Sequence, residues 1–284
     1  MKPSYYDTDL TEPDTLPLPV EILETDIDLY YHMAFSLYRL IEENNSKGKS
    51  TLVILPVGPV FQYRRFVWLM RERPLNLQNL TCFFMDEYLD TSGSWIPEDS
   101  PLSFRGFIQR ELISPLQDRT LPPESRLSPE QVRFPDPFRL KEFDQCYEDC
   151  GGAEVCYGGI GITGHLAFNE PPDSSESISA EEFCRLPSRI VELTPQTIAI
   201  NSNTALRGAI DLIPKKAVTI GFKQILQSKK IRIYCNRPWQ SAVVRRALFD
   251  TPSPSFPVTL VRTHPDVRIW VTREVAEKPA FGLR

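Results

Sequence analysis

Glycine is scarce in this chain, with 13 in 284 residues, and histidine is scarcer, with three. No apolar run approaches the roughly 18 residues that a membrane-spanning helix needs, so no membrane partner is expected. Nor is there a basic run: lysine and arginine number 32 against 37 acids, for a formal net charge of −5. A nucleic-acid binder would carry a basic face, so nucleic acid is not expected either. The segment 1–19 lacks the apolar core of a secretory signal and is instead rich in proline and acids, which makes cytoplasmic the expected location. Six cysteines are scattered through the chain. Cys82, Cys156 and Cys235 lie in apolar strand-like runs, where a thiol acts as a small hydrophobe. Cys146 and Cys150 stand one helical turn apart, without the further ligands zinc requires, so no metal is expected and the thiols read as reduced.

What is present is ordinary for a soluble globular protein: 41% hydrophobic and 24% charged residues. Residues 1–24 hold four prolines and little periodicity, reading as an extended N-terminal arm. Apolar residues at helical spacing predict a helix over 26–45, and others over 60–73, 102–112, 138–150, 204–213, 223–227 and 239–249. Continuous β-rich runs predict strands at 51–57, 80–85, 154–157, 217–222, 231–235 and 267–272. The polar stretch 173–187 reads as a mobile lid. Buried strands alternating with helices imply βαβ units. The expected fold is α/β, a single Rossmann-like three-layer domain over 25–284, with a mostly parallel sheet and helices on both faces.

Four of the 13 glycines fall within seven residues, Gly158, Gly159, Gly161 and Gly164, directly after a predicted strand. His165 follows the last of them and Glu170 comes five residues later. Glycine permits sharp turns and close approach of backbone to a ligand, and strand carboxyl ends are where open α/β sheets bind ligands. A second strand ends in Asp86-Glu87-Tyr88. Carboxylates and a histidine converging on one crevice suit proton transfer. Taken alone, Asp86-Glu87 also fits a helix N-cap and first-turn acid.

The two stretches together, FFMDEYLD and GGIGITGHLAFNEPP, resemble the paired signatures of the glucosamine-6-phosphate deaminase/isomerase family. LVILPVGP, SPLSFRGFI, ELTPQTIAINS, AVTIGF and THPDVRIWV have counterparts there as well, so the resemblance runs from about Asp26 to Thr272. The related 6-phosphogluconolactonases share the Gly-rich turn and Gly-His, but follow it with Thr-Ala-Ser rather than Ala-Phe-Asn-Glu-Pro.

The resemblance implies an aldose–ketose isomerase or deaminase acting on an amino-sugar phosphate, with a phosphosugar as its small-molecule partner and no cofactor. It makes Asp86 the base that moves a proton between C1 and C2, His165 the group that assists ring opening, and Glu170 the partner that orients His165. Glu87, Gly58, Gly161, Thr163, Gly164 and Arg237 are implied as substrate-binding. Family members range from monomers to hexamers, which leaves a homo-oligomer open.

Four positions depart from the family pattern. Thr163 stands where deaminases carry aspartate, and Val57-Gly58-Pro59-Val60 replaces a hydroxyl-bearing, glycine-rich phosphate loop. Proline there supplies no backbone donor. Asn236-Arg237-Pro238 occupies the turn of the family's phosphate-binding lysine, where Arg237 could take an anion in a bidentate grip. Asn203 replaces a substrate-contacting arginine. Arg64 and Arg65 are further basic residues near the altered loop, and Arg105 lies in the segment after Asp86-Glu87-Tyr88. These departures keep open a regulatory sugar-phosphate binder and a different phosphosugar, while Phe168-Asn169-Glu170 weighs against a lactonase.

Overall fold

The computed structural model describes residues 4–12, 16–173, 175 and 177–279. Ten strands are present among them: β1 (Val20–Leu23), β2 (Thr51–Leu55), β3 (Leu80–Phe84), β4 (Asp86–Leu89), β5 (Val132–Arg133), β6 (Val155–Gly158), β7 (Arg189–Glu192), β8 (Lys216–Thr219), β9 (Ile231–Cys235) and β10 (Val267–Thr272). Seven form a sheet in the order β1-β10-β9-β6-β2-β3-β5, with every neighbour parallel.

Both faces of this sheet are covered, as the fully buried run of β2 at its centre requires. Side chains alternate along a strand, so Val53 and Leu55 of β2 join a core with the helices Asp26–Ser46 and Gln62–Glu72. Leu52 and Ile54 join another with the helices Leu140–Asp149, Phe222–Gln227 and Gln240–Phe249. The three-layer α/β expectation holds.

The remaining three strands form a separate antiparallel sheet, β4-β8-β7. Here the structure corrects the sequence reading. Asp86-Glu87-Tyr88, expected to close the second strand, instead begins a strand of its own, and the run at 217–222 serves the small sheet instead of the parallel one. Met85 joins the two: its N–H reaches the Leu55 carbonyl of β2 at 3.1 Å, and its own carbonyl receives the Ile220 N–H at 2.7 Å.

The helix expected over 204–213 lies instead at Pro195–Leu206. Thr194 caps it, accepting from the Thr197 N–H, and the first-turn proline fits a helix start. Arg207, at φ 52°, and Gly208, at φ 97°, turn the chain out of it. The expected lid carries a short helix, Ala180–Cys184, with Ser179 and Glu182 forming a capping box. Its Phe183 is buried against Phe222, ring centroids 5.2 Å apart.

Near the N-terminus, β1 adds to the sheet edge beside β10. The fully buried Arg245 donates to the carbonyls of Thr8 and Ala276 at 3.1 and 2.8 Å, tying both ends of the described chain to the helix Gln240–Phe249.

Candidate active site

From β2 the chain runs outward to β3 and β5, then returns to place β6 on the opposite side of β2. The carboxyl ends of β2 and β6 therefore flank the crossover, the position where open α/β sheets form a crevice. The Gly58 loop follows one strand and the glycine turn follows the other.

The glycine turn is folded around the His165 ring. Gly161 N–H donates to the His165 carbonyl at 3.0 Å, and Gly164 N–H to the Gly161 carbonyl at 2.9 Å. A Cβ on Gly161 would lie 1.9 Å from His165 Nε2. Gly164 has φ +79°, and a Cβ there would lie 2.6 Å from the Phe256 ring. These two glycines are required by close packing, and Gly164 also by its left-handed backbone.

His165 is buried, at 9% exposure, with Nδ1 facing three oxygens. Thr163 Oγ1 is 2.9 Å away, Glu170 Oε2 3.2 Å and Thr197 Oγ1 3.4 Å. Thr163 Oγ1 also donates to Glu170 Oε2 at 2.7 Å. Thr194 reaches the other carboxylate oxygen through its N–H and hydroxyl, each at 3.4 Å. Burial works to raise the Glu170 pKa, but the His165 hydrogen bond and charge, with the Thr197 and Thr163 hydroxyls, outweigh it and hold the carboxyl down to about 2.

Asp86 has the opposite environment. It is 8% exposed, and no side-chain hydrogen bond or ion pair reaches its carboxyl among the described residues. Burial, with the Glu87 charge added, pushes its pKa well above the ordinary carboxylate range. Two carboxyl groups are thus driven apart, one held ionised and one biased toward its neutral form, as sites that divide acid and base roles require. Thr219 ties the Asp86 strand to the chain after the glycine turn: it pairs with Asp86 across β4 and β8, and its hydroxyl receives the Phe168 N–H at 3.0 Å, three residues from His165.

Glu87 is fully buried and turned to a different task. Its carboxylate accepts from the N–H groups of Tyr88, Phe104 and Arg105 at 2.8, 3.1 and 2.9 Å, and from the Ser103 hydroxyl at 2.9 Å. It pins the start of the helix Phe104–Ile108. Burial raises its pKa, while these donors work against the rise.

Gly58 lies open at the crevice, with nothing near where a Cβ would stand. Its loop is held from below by the Tyr63 hydroxyl on the Pro56 carbonyl and by Gln62 Nε2 on the Val57 carbonyl at 3.2 Å. Arg237 follows β9 with its backbone N–H on Gln240 Oε1 at 2.9 Å. Its side chain is exposed and in no ion pair among the described residues. The adjoining Asn236 donates to the Tyr30 hydroxyl at 2.9 Å, and the Tyr30 ring meets Phe61 with centroids 5.4 Å apart. Arg237 and the Gly58 loop thus share one rim.

Two other arginines are already engaged. Arg64 holds Glu111 through bonds of 2.5 and 3.0 Å. Arg105 lies over the Trp95 ring, 4.2 Å from its centroid, and donates to Glu98 at 3.0 Å.

Sequence reasoning did not single out Thr194, Thr197 or Asn201. Asn201 donates to the Tyr88 hydroxyl at 2.8 Å. All three sit in or just before the Pro195–Leu206 helix, and the Thr-Pro start was their available signal. Arg189 donates to Asn169 Oδ1 at 2.7 Å, and burial pushes its pKa down to about 10. A cavity of about 1060 Å³, lined by Thr163, Glu170, Arg189, Thr194 and Phe256 among others, adjoins the Glu170 side of the turn.

No protein-family model matches the chain. Individual relatives do. Glucosamine-6-phosphate deaminase of Thermoanaerobacter pseudethanolicus is 24% identical over 255 residues, covering 87% of this chain and 91% of that protein. Glucosamine-6-phosphate deaminase 1 of Bacillus subtilis is 28% identical over 218 residues, covering 77% and 82%. Among solved structures, a monomeric glucosamine-6-phosphate deaminase superposes with a TM-score of 0.74 at 25% identity, over 91% of this chain and 99% of the other. The 6-phosphogluconolactonase of Leishmania guyanensis shares the fold, with a TM-score of 0.62 at 16% identity over 93% and 99%. The chain is a divergent relative of the glucosamine-6-phosphate deaminases in sequence, and shares its α/β fold with them and with the lactonases.

Proposed function

We propose that this protein is an aldose–ketose isomerase or deaminase of an amino-sugar phosphate such as glucosamine 6-phosphate. The observation that carries the reading is the contrast between Asp86, a buried carboxyl without hydrogen bonds and pushed toward its neutral form, and Glu170, held ionised beside His165.

The chemistry follows from these environments. His165 Nε2 exchanges a proton with the sugar ring oxygen and opens the ring, while Glu170 orients the imidazole from Nδ1. Asp86 removes the C2 proton of the open-chain sugar and returns it to C1. A carboxyl with raised pKa is matched to that task, because it holds the proton in transit more firmly than an ordinary carboxylate would. The C2 nitrogen loses a proton as O1 gains one, leaving an imine at C2 that water hydrolyses to the ketose phosphate and ammonia. Gly58 leaves room for the substrate, and Arg237 grips its anion.

Incubation with millimolar glucosamine 6-phosphate should release ammonia and fructose 6-phosphate in equal amounts; absence of turnover sinks the deaminase form. One observation favours a second reading, a different phosphosugar isomerised or merely bound. The loop at 57–61 offers no hydroxyl, and Pro59 offers no N–H. Thermal shifts across a phosphosugar panel, without turnover, would support that reading.

A further inference from the structure

The contacts around His165 Nδ1 determine where the imidazole proton sits. Glu170, held ionised, can only accept hydrogen bonds. The Thr163 hydroxyl has a single proton, and at 2.7 Å from Glu170 Oε2 that proton is spent on the carboxylate. What remains on Thr163 Oγ1 toward His165 is a lone pair, 2.9 Å from Nδ1. Glu170 Oε2, at 3.2 Å from the same nitrogen, likewise presents only lone pairs. A neutral imidazole bearing its proton on Nε2 would set the Nδ1 lone pair against both oxygens. The third oxygen, Thr197 Oγ1 at 3.4 Å, also gives its proton to Glu170. One proton on Nδ1 therefore satisfies these contacts, and Nε2 is left with the lone pair over the bare backbone of Gly161.

We infer that Thr163 is a positioning residue that fixes the His165 tautomer. Its hydroxyl, wedged between Nδ1 and Glu170, keeps the ring proton on Nδ1 and turns the Nε2 lone pair toward the substrate. It is the nearest oxygen to Nδ1 and the shortest hydrogen bond to the Glu170 carboxylate, so it holds both partners at once. This assigns Thr163 a place behind the histidine rather than against the sugar. The catalytic consequence rests on the reading proposed above; the tautomer does not.

The test uses the full chain labelled with ¹⁵N-histidine and long-range ¹H–¹⁵N correlation at about pH 8.5, where an ordinary imidazole is neutral. With three histidines in the chain, the His165→Gln spectrum assigns the signals. In the unsubstituted protein, Nδ1 of His165 should carry the proton and Nε2 should show the pyridine-type shift. Thr163→Val, which keeps the shape without the hydroxyl, should mix the tautomers and lower kcat about 10- to 100-fold, with KM unchanged. Thr163→Ser should restore a single tautomer and bring kcat back to within about threefold. Thermal melts of both variants separate a folding defect from a positioning one. A proton on Nε2 in the unsubstituted protein overturns the inference, as does a Thr163→Val variant with tautomer and kcat unchanged. If no amino-sugar phosphate is turned over, the reaction proposed above fails while the spectra still decide the tautomer.

Discussion

The backbone of Gly161 forms the floor on which the His165 ring rests: a Cβ there would lie 1.9, 2.1 and 2.4 Å from three ring atoms. Neither backbone conformation nor solvent exposure explains this glycine; the imidazole does. Gly161→Ala should displace the ring, breaking its alignment with Thr163 and Glu170, and cost about 1–3 kcal/mol of stability as an overpacked site. Activity should fall by about 10²-fold, since small misplacement of a catalytic group carries that penalty. Steady-state kinetics beside a urea melt check both effects. An alanine variant with full activity would mean that the ring does not act from this position.

Asp86 should trade stability for activity. Its pKa is raised in the folded state by burial and by Glu87, so folding favours the protonated form. The sign follows: ionising Asp86 costs stability, and that cost appears as pH rises above the unfolded carboxyl's value and grows until the folded pKa is passed. Asp86→Asn removes a charge that the fold does not solvate. The variant should therefore be more stable than the parent at pH 7–8, with the advantage vanishing at about pH 4, as urea melts at both pH values would show. Turnover should drop by at least about 10²-fold, the usual contribution of a positioned acid–base group. Retained turnover would remove Asp86 as the base.

Much of this architecture was legible because burial leaves a simple trace. TLVILPV is a strand covered on both faces, which an unbroken apolar run allows. LTCFFM and VRIWVT come close to it, with Thr81 partly open to solvent and Arg268 exposed. The small sheet left no such trace. DEYL and RIVE are four-residue strands bearing charges, and their pairing with KAVT joins segments more than a hundred residues apart in one case. The glycine turn was legible as a site, since its glycines and histidine stand out in a glycine-poor chain. The partners were not: Arg64 finds Glu111 across 47 residues, and Glu87 finds Ser103 across 16. Nor does the sequence alone tell that Thr163, on a chain turning back on itself, reaches His165 and Glu170 together.

Arg237 should govern affinity rather than rate. It stands exposed on the rim shared with the Gly58 loop, without an ion pair among the described residues. A charge-assisted bond to a phosphate contributes about 1.5–3 kcal/mol, so Arg237→Ala should raise KM for a phosphosugar about 10- to 100-fold. Its effect on kcat should be smaller, because the anion lies away from the reacting carbons. Arg237→Lys should recover only part of the loss, having one point charge in place of a two-pronged donor. Unchanged KM in Arg237→Ala would move the anion elsewhere on the crevice.

Glu87 separates a structural carboxylate from a substrate contact. Four donors converge on it from Tyr88, Ser103, Phe104 and Arg105, and its side chain is wholly enclosed. Replacing it with glutamine exchanges two acceptor sites for N–H donors that face other donors, so Glu87→Gln should cost about 2–4 kcal/mol, measured by urea unfolding. A second effect reaches Asp86. The Glu87 charge adds to the burial that raises the Asp86 pKa, and a neutral amide withdraws that push. In the protein that remains folded, the limb of the pH–rate profile that reports Asp86 should move to lower pH. The two readouts discriminate, because a substrate contact would instead raise KM while leaving the unfolding midpoint and the pH limb in place. That outcome would return Glu87 to the binding surface.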